Sequence, residues 1–408
     1  MSAPRAPRAQ WADIVKGYCI ILVVLWHVIM KQYLQIDWHV SVPIPGAWGA
    51  FGEQFLPLRM PVFFTVSGMF AASAANRPWS VVRRSRLAKF YYLYVLWFVV
   101  HTTVLWFVPD FETLAARTPL QVLEQLTITP TNLWYLFALA VYFLIAKVTR
   151  GLPTAVVLGA AFVLSSIAAS GLLAAPGNRG QLYQNLFFFL AGLRLKGWVQ
   201  QWAASSTFPL LLIGVVGYFG VSGVMQVFHA ERNFGVWPAV SVLAVMVGVA
   251  LAVQIERLKR PGEMLAALGR KTLPIYVIHM PLVALAHLTL QGPLSGLGAS
   301  AQLVLAVFGP IVLTALIIAV CLGLESFLKK IGAKWLFDLP RFGAPPEQKP
   351  EQKPDPGPER ETAHLQRPEY HQPPEYHQPP DYHQPPDYHQ RPEYPAPQST
   401  VYSSRADA

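Results

Sequence analysis

The sequence predicts an all-α, polytopic membrane protein of about ten transmembrane helices, followed by a disordered, proline-rich C-terminal tail. Three observations carry that expectation. Of 408 residues, 53% are hydrophobic and only 13% charged, against roughly a quarter charged in a soluble domain, and the mean hydropathy is +0.35. The basic residues fall into alternate loops between apolar runs. From about Gly343 the composition shifts to a proline-rich repeat. The expected organisation is a cytoplasmic N-terminus (1–13), a membrane domain (14–342) and the tail (343–408).

The first apolar run, Asp13–Met30, reads DIVKGYCIILVVLWHVIM. It is too long for a signal peptide and no small-residue cleavage site follows it, so it is expected to stay in the mature protein. An ionisable residue inside a span costs several kcal/mol, roughly, on most scales, which makes His27 notable. Lys16 and His27 are eleven residues apart, three helical turns, and share a face about 16 Å apart along the axis. Asp13 lies three residues before Lys16 on nearly the same face.

Hydropathy places further spans at about 57–75, 90–108, 132–149, 152–173, 182–196, 208–228, 236–255, 272–291 and 301–325, with the sixth, around Tyr183–Leu195, the shortest. With the N-terminus in the cytoplasm, 21 basic residues lie in inside segments, among them Arg5, Arg8, Lys16, Arg77, Arg83, Arg84, Arg86 and Lys89. Five lie outside: Lys31, Arg59, Arg117, Arg179 and Arg232. That asymmetry puts both termini in the cytoplasm and the protein in a plasma (inner) membrane. It also explains the net charge of +10 by topology and not by nucleic-acid binding. Arg83-Arg84-Ser85-Arg86 is denser than topology needs and reads equally as an anion site.

The tail repeats Pro-Pro-(Glu/Asp)-Tyr-His-Gln, with His371, His377, His383 and His389 six residues apart. So much proline precludes a packed core, so the tail is expected to be extended and solvated, with docking of a cytoplasmic or envelope-assembly partner as its alternative use. Cys19 and Cys321 both sit in apolar runs and read as core residues, neither a disulfide nor a metal pair.

His279, in LPIYVIHMPLV, is a second histidine within a span, with Tyr276 three residues earlier on the same face. His101 and His287 also lie in or near spans, with nothing around them that converges. MPVFFTVSGMF holds Ser67-Gly68, a pair that marks close helix packing or a hydroxyl lining a shared cavity. Asn132-Leu133-Trp134-Tyr135 opens the fourth span, where interfacial aromatics are expected.

In order, DIVKGYCIILVVLWH, FFTVSGMF, Arg83-x-x-Arg86, NLWYL and LGRKTLPIYVIH resemble the acyltransferase-3 family of membrane O-acyltransferases, from about Asp13 to Leu324. Lys16-x10-His27 matches that family's first-span signature, Arg83 and Arg86 its Arg-x-x-Arg, Ser67-Gly68 its Ser-Gly, and Trp134 its Trp before the fourth span. Some members carry a fused extracytoplasmic hydrolase-like domain at the C-terminus; it is not expected here, where the sequence holds the repeat tail instead. The resemblance implies transfer of an acyl group, usually acetyl, from cytoplasmic acyl-CoA to a hydroxyl on an envelope sugar or glycolipid, a trehalose mycolate being one candidate. No cofactor is expected to stay bound; acetyl-CoA or another acyl-CoA is the donor substrate.

Coenzyme A is a polyphosphate, and Lys16, Arg83 and Arg86 supply cations for it on the expected cytoplasmic side. Its arm then runs along the first helix toward His27, the expected base for the acceptor hydroxyl, with Ser67 as an oxyanion donor or cavity residue. A covalent acyl intermediate on His27 or Ser67 stays open. Trp134, Tyr276 and His279 are expected at the acceptor. Two rival function classes account for part of the chain, the first leaving the basic cluster unexplained and the second the buried ionisable residues. In a proton-coupled transporter or flippase, His27 and His279 relay protons; in a scaffold, the tail recruits partners.

Overall fold

A chain in hydrocarbon must satisfy its backbone internally, and helices do so within one segment. The computed structural model describes residues 9–340 except 109, 112 and 114, and among these it is all-helical, with no strand. The expected tail, with its histidine repeat, and residues 1–8 of the expected N-terminal segment lie outside the described residues.

The helices are α1 (Gln10–Lys31), α2 (Ile44–Gln54), α3 (Leu56–Ala75), α4 (Trp79–Val82), α5 (Lys89–Trp106), α6 (Pro119–Thr127), α7 (Trp134–Val148), α8 (Thr154–Ala169), α9 (Arg179–Arg194), α10 (Lys196–Ser205), α11 (Phe208–Val227), α12 (Val236–Glu256), α13 (Lys259–Arg270), α14 (Thr272–Ser295) and α15 (Ala299–Lys330). A π-helical turn, Arg83–Ala88, joins α4 to α5.

Among the described residues, eight helical segments are long and apolar enough to cross a membrane: Gln10–Gln35, Ile44–Ala75, Trp79–Trp106, Trp134–Gly151, Phe208–Val227, Val236–Glu256, Thr272–Ser295 and Ala299–Lys330. The expected count of about ten is therefore not confirmed. The two other expected spans, 152–173 and 182–196, coincide with α8 and α9, which have only 16 residues each. In α9, Arg179, Gln181, Gln184 and Asn185 also dilute the apolar run.

Helix α1 runs through the centre, against α3, α12, α13, α14 and α15. Two close approaches lock this arrangement. A Cβ on Gly68 or Gly192 would run into the Phe189 or Thr65 carbonyl across the α3–α9 contact, and one on Gly17 or Gly269 into the Leu265 or Asp13 carbonyl across α1–α13. Such small-residue seams let helix backbones approach where lipid offers no hydrophobic drive. Cys19 and Cys321 are fully buried and unlinked.

Proline breaks shape the interior. Pro281 leaves the Val277 carbonyl of α14 without its helical donor, and His101 Nε2 of α5 donates to it at 2.8 Å. Pro310 does the same to the Ala306 carbonyl of α15, which accepts from Tyr33 OH (2.7 Å) and Trp48 Nε1 (3.0 Å). At one end of the bundle, basic side chains close helix C-termini. Buried Lys147 donates to the carbonyls of Ala75 (3.0 Å), the last residue of α3, and of Arg77 (2.5 Å) just beyond it, and Arg194 to that of Thr149 (2.5 Å) beyond α7. Two cations assigned to the topology rule, Lys147 and Arg194, thus also complete helix ends.

Candidate functional site

The same end opens into a cavity of about 250 Å³ between α3, α5, α7 and α14. Arg86 and Lys89 supply its charged lining, and Ser67, Tyr135, Thr272 and Tyr276 its hydroxyls. Arg86 stacks over the Phe143 ring at 5.4 Å, which holds its guanidinium against the wall.

Ser67 Oγ donates to the Phe63 carbonyl one turn back (2.8 Å), so its contact with Tyr135 OH (2.9 Å) has the phenol as donor. Tyr276 OH accepts from the Tyr135 backbone N–H (3.1 Å) and donates to the Asn132 carbonyl (3.0 Å). That N–H is one of the orphan donors at the start of α7, so Tyr276 acts as a tertiary cap on that helix. The Tyr135 and Tyr276 rings meet edge-on at 5.4 Å, and Tyr276 lies 6.0 Å from the ring of His279. Behind Tyr276, His279 of α14 faces His27 of α1, with ring centroids 5.1 Å apart and His279 Nε2 3.3 Å from His27 Nδ1.

The partners of the two rings fix their tautomers. His279 Nδ1 lies 2.8 Å from the Tyr276 carbonyl and 3.1 Å from that of Ile275, and a carbonyl only accepts, so Nδ1 carries the proton. Neutral His279 then presents an acceptor at Nε2. His27 Nδ1 lies 2.8 Å from the Val23 carbonyl and within reach of that acceptor, so it too is protonated. The lone pair of neutral His27 is therefore at Nε2, and His27 is only partly buried whereas His279 is 2% exposed. A base with a free nitrogen, held by an oriented neighbour through its other nitrogen, is the arrangement general-base chemistry uses.

The comparisons with known proteins bear on what this base serves. The family model described as an acyltransferase domain matches residues 9–324. The chain belongs to the acyltransferase-3 family. It is also similar to inner membrane protein YcfT of Escherichia coli (strain K12), with 25% identity over 348 residues, covering 81% of this chain and 94% of that protein. No solved structure matches. The protein is thus a multi-pass membrane acyltransferase of this family.

The expected site residues fall into three groups in this family member. Ser67, Arg86 and Tyr276 line one cavity, and His27 and His279 form a pair behind Tyr276. Lys16, Arg83 and Trp134 lie elsewhere. Lys16 pairs with Asp13 (2.7 Å) and sits 5.1 Å over the ring of Phe70, itself a cavity-lining residue. Arg83 is exposed beside a separate recess with Leu87, Tyr91 and Phe137, because the wide π turn points it away from Arg86. Trp134 packs on Phe64 at 5.6 Å. No α1 residue lines the cavity, so its way in runs along α3, α7 and α14 and not along the first helix.

Three residues gain a place that sequence reasoning did not give them. Tyr135, read as an interfacial aromatic, links Ser67 to Tyr276. Lys89, counted only as a topology charge, lines the cavity and pairs with Asp338 at 2.8 Å. His101 holds the Val277 carbonyl between Tyr276 and His279; the signal was Pro281, four residues after Val277.

Proposed function

We propose that this membrane acyltransferase moves an acetyl group, with succinyl the next candidate, from cytoplasmic acyl-CoA to a hydroxyl of an envelope glycan or glycolipid, with the Arg86–Lys89 end of the bundle toward the cytoplasm of a plasma (inner) membrane. The observation that carries this reading is the His27–His279 pair, whose hydrogen bonds leave His27 Nε2 as a free base behind a cation-lined cavity. Arg86 and Lys89 supply charge for the phosphates of coenzyme A, Arg86 with the planar fork that suits phosphate oxygens.

In the reaction, the acceptor oxygen attacks the thioester carbonyl while His27 Nε2 takes its proton. The developing imidazolium donates more strongly from Nδ1 to the Val23 carbonyl and His279 Nε2, which stabilises the charge. The tetrahedral intermediate collapses, the C–S bond breaks, and the thiolate of coenzyme A takes the proton back from His27. The new ester stays on the acceptor. Ser67 already gives its proton to the Phe63 carbonyl and Tyr135 gives its own to Ser67, so these two hydroxyls shape the cavity wall and hold each other in place. A glycolipid acceptor, such as a trehalose mycolate, suits a histidine pair held within the membrane spans.

The test is mass spectrometry of envelope glycans and glycolipids from cells lacking the protein, complemented with wild type or His27→Ala. The proposal expects an alkali-labile acyl group that is lost in the deletion, returns with wild type and stays absent with well-expressed His27→Ala. Unchanged acylation throughout would favour a proton-coupled transporter or flippase that uses the same two histidines as a relay.

A further inference from the structure

A second cavity, of about 300 Å³, lies away from this site between α14, α15 and the segment after α1. Its walls are largely apolar, including Leu294, Leu305 and Phe308, with Gly309, Tyr33 and Gln32 also lining it. Along α15 its outer lip is well exposed, with Val304 61%, Phe308 57%, Val312 61% and Leu316 56% accessible, a surface that in a membrane faces lipid chains. A Cβ on Gly309 would meet Leu305 at 3.0 Å and the Tyr33 ring at 3.6 Å, so the missing side chain keeps the groove deep.

One unsatisfied polar group breaks this apolar lining. Gln32, the C-cap of α1, is 1% exposed and its Nε2 has no hydrogen-bond partner. Its neighbours are otherwise well satisfied: Tyr33 OH donates to the Ala306 carbonyl, and the Gln32 backbone N–H to that of Val28 at 3.2 Å. An amide N–H without an acceptor in an apolar setting is costly, and an apolar groove offers water few partners. Helix α1 has 22 residues, about 33 Å of rise, close to the thickness of a hydrocarbon core. A side chain just past its end is therefore level with the ester carbonyls of the bilayer. A lipid is the molecule that brings both a long apolar chain and a carbonyl acceptor to that depth.

We propose that this groove binds one membrane lipid, its acyl chain between α14 and α15 and its ester carbonyl accepting from Gln32 Nε2. The site is separate from the His27 pair, and the inference does not depend on the acyl-transfer reading. The test titrates the purified full-length protein with dioleoyl phosphatidylglycerol and with its diether analogue, which keeps headgroup and chains but lacks the ester carbonyl, and reads lipid binding by native mass spectrometry. Wild type is expected to hold the diester about fivefold more tightly than the diether, the worth of one hydrogen bond. Gln32→Met, of the same length but without a donor, is expected to bind the two alike. Gly309→Leu, which fills the groove, is expected to weaken both. Equal affinity of wild type for the two lipids, discrimination kept in Gln32→Met, or unaltered binding in Gly309→Leu would each overturn the assignment.

Discussion

Helices α14 and α15 carry the same local defect and put it to different use. In each, an interior proline strips a backbone carbonyl of its donor, at Val277 and at Ala306, and in each a side chain from elsewhere restores the hydrogen bond. In α14 the donor is His101, and the repaired turn lies between Tyr276 and His279, the two residues that join the cavity to His27. In α15 the donors are Tyr33 and Trp48, and the repair fastens the connection after α1 to the outer helix. A histidine in a span is thus not in itself a catalytic signal. His101 spends Nε2 on the backbone and its unpartnered Nδ1 is buried, whereas His27 holds Nε2 clear of its hydrogen bonds on a partly exposed ring.

That contrast can be broken by mutation. The largest effect in α14 is expected at His279. His279→Phe removes the acceptor that orients His27 and should lower the acyl-transfer rate about 100-fold, within the range general-base catalysis contributes. His279→Gln, which retains an acceptor oxygen, should recover part of it, with donor KM little changed in both. His101→Phe strands the Val277 carbonyl and should cost about 1–3 kcal/mol in thermal unfolding. Pro281→Ala restores a backbone donor there, so the double variant should regain most of the loss, a coupling that independent sites would not show.

Next in size, Arg86→Ala should raise the KM for acyl-CoA about tenfold, the loss of one charge-assisted contact. Arg83→Ala, facing the other way, should leave it unchanged. The smallest effect belongs to α15. Either Tyr33→Phe or Trp48→Phe leaves the Ala306 carbonyl one donor, so each should cost only about 0.5–1.5 kcal/mol, with the transfer rate intact. A rate loss in Tyr33→Phe as large as that in His279→Phe would erase the distinction between the two helices.

What was legible in the sequence was local. Lys16 and His27 sit where helical periodicity places them, and α14 carries Tyr276 and His279 in adjacent turns. The meeting of His27 with His279 spans 252 residues of sequence and depends on how α1 packs on α14, which no periodicity encodes. Arg83 and Arg86 look like one cluster at three-residue spacing, but the π turn sends them to different faces, and such a turn has no sequence signature here. Tyr135 looked like a belt aromatic because the start of α7 is where belts occur; that this start is buried against Tyr276 is a tertiary fact. The count of about ten spans is not confirmed because α8 and α9 are apolar enough to register yet only 16 residues long.

The central claim is that His27 Nε2 is the base of an acyl transfer. Its most direct test is the rate at which membranes containing the protein release free coenzyme A from acetyl-CoA while an alkali-labile acyl group appears on an envelope acceptor. His27→Ala is expected to slow both together by about 100-fold or more, with acetyl-CoA binding retained because Arg86 and Lys89 are untouched. Wild-type rates in a well-expressed His27→Ala protein would contradict the account and leave the paired histidines without a role in transfer.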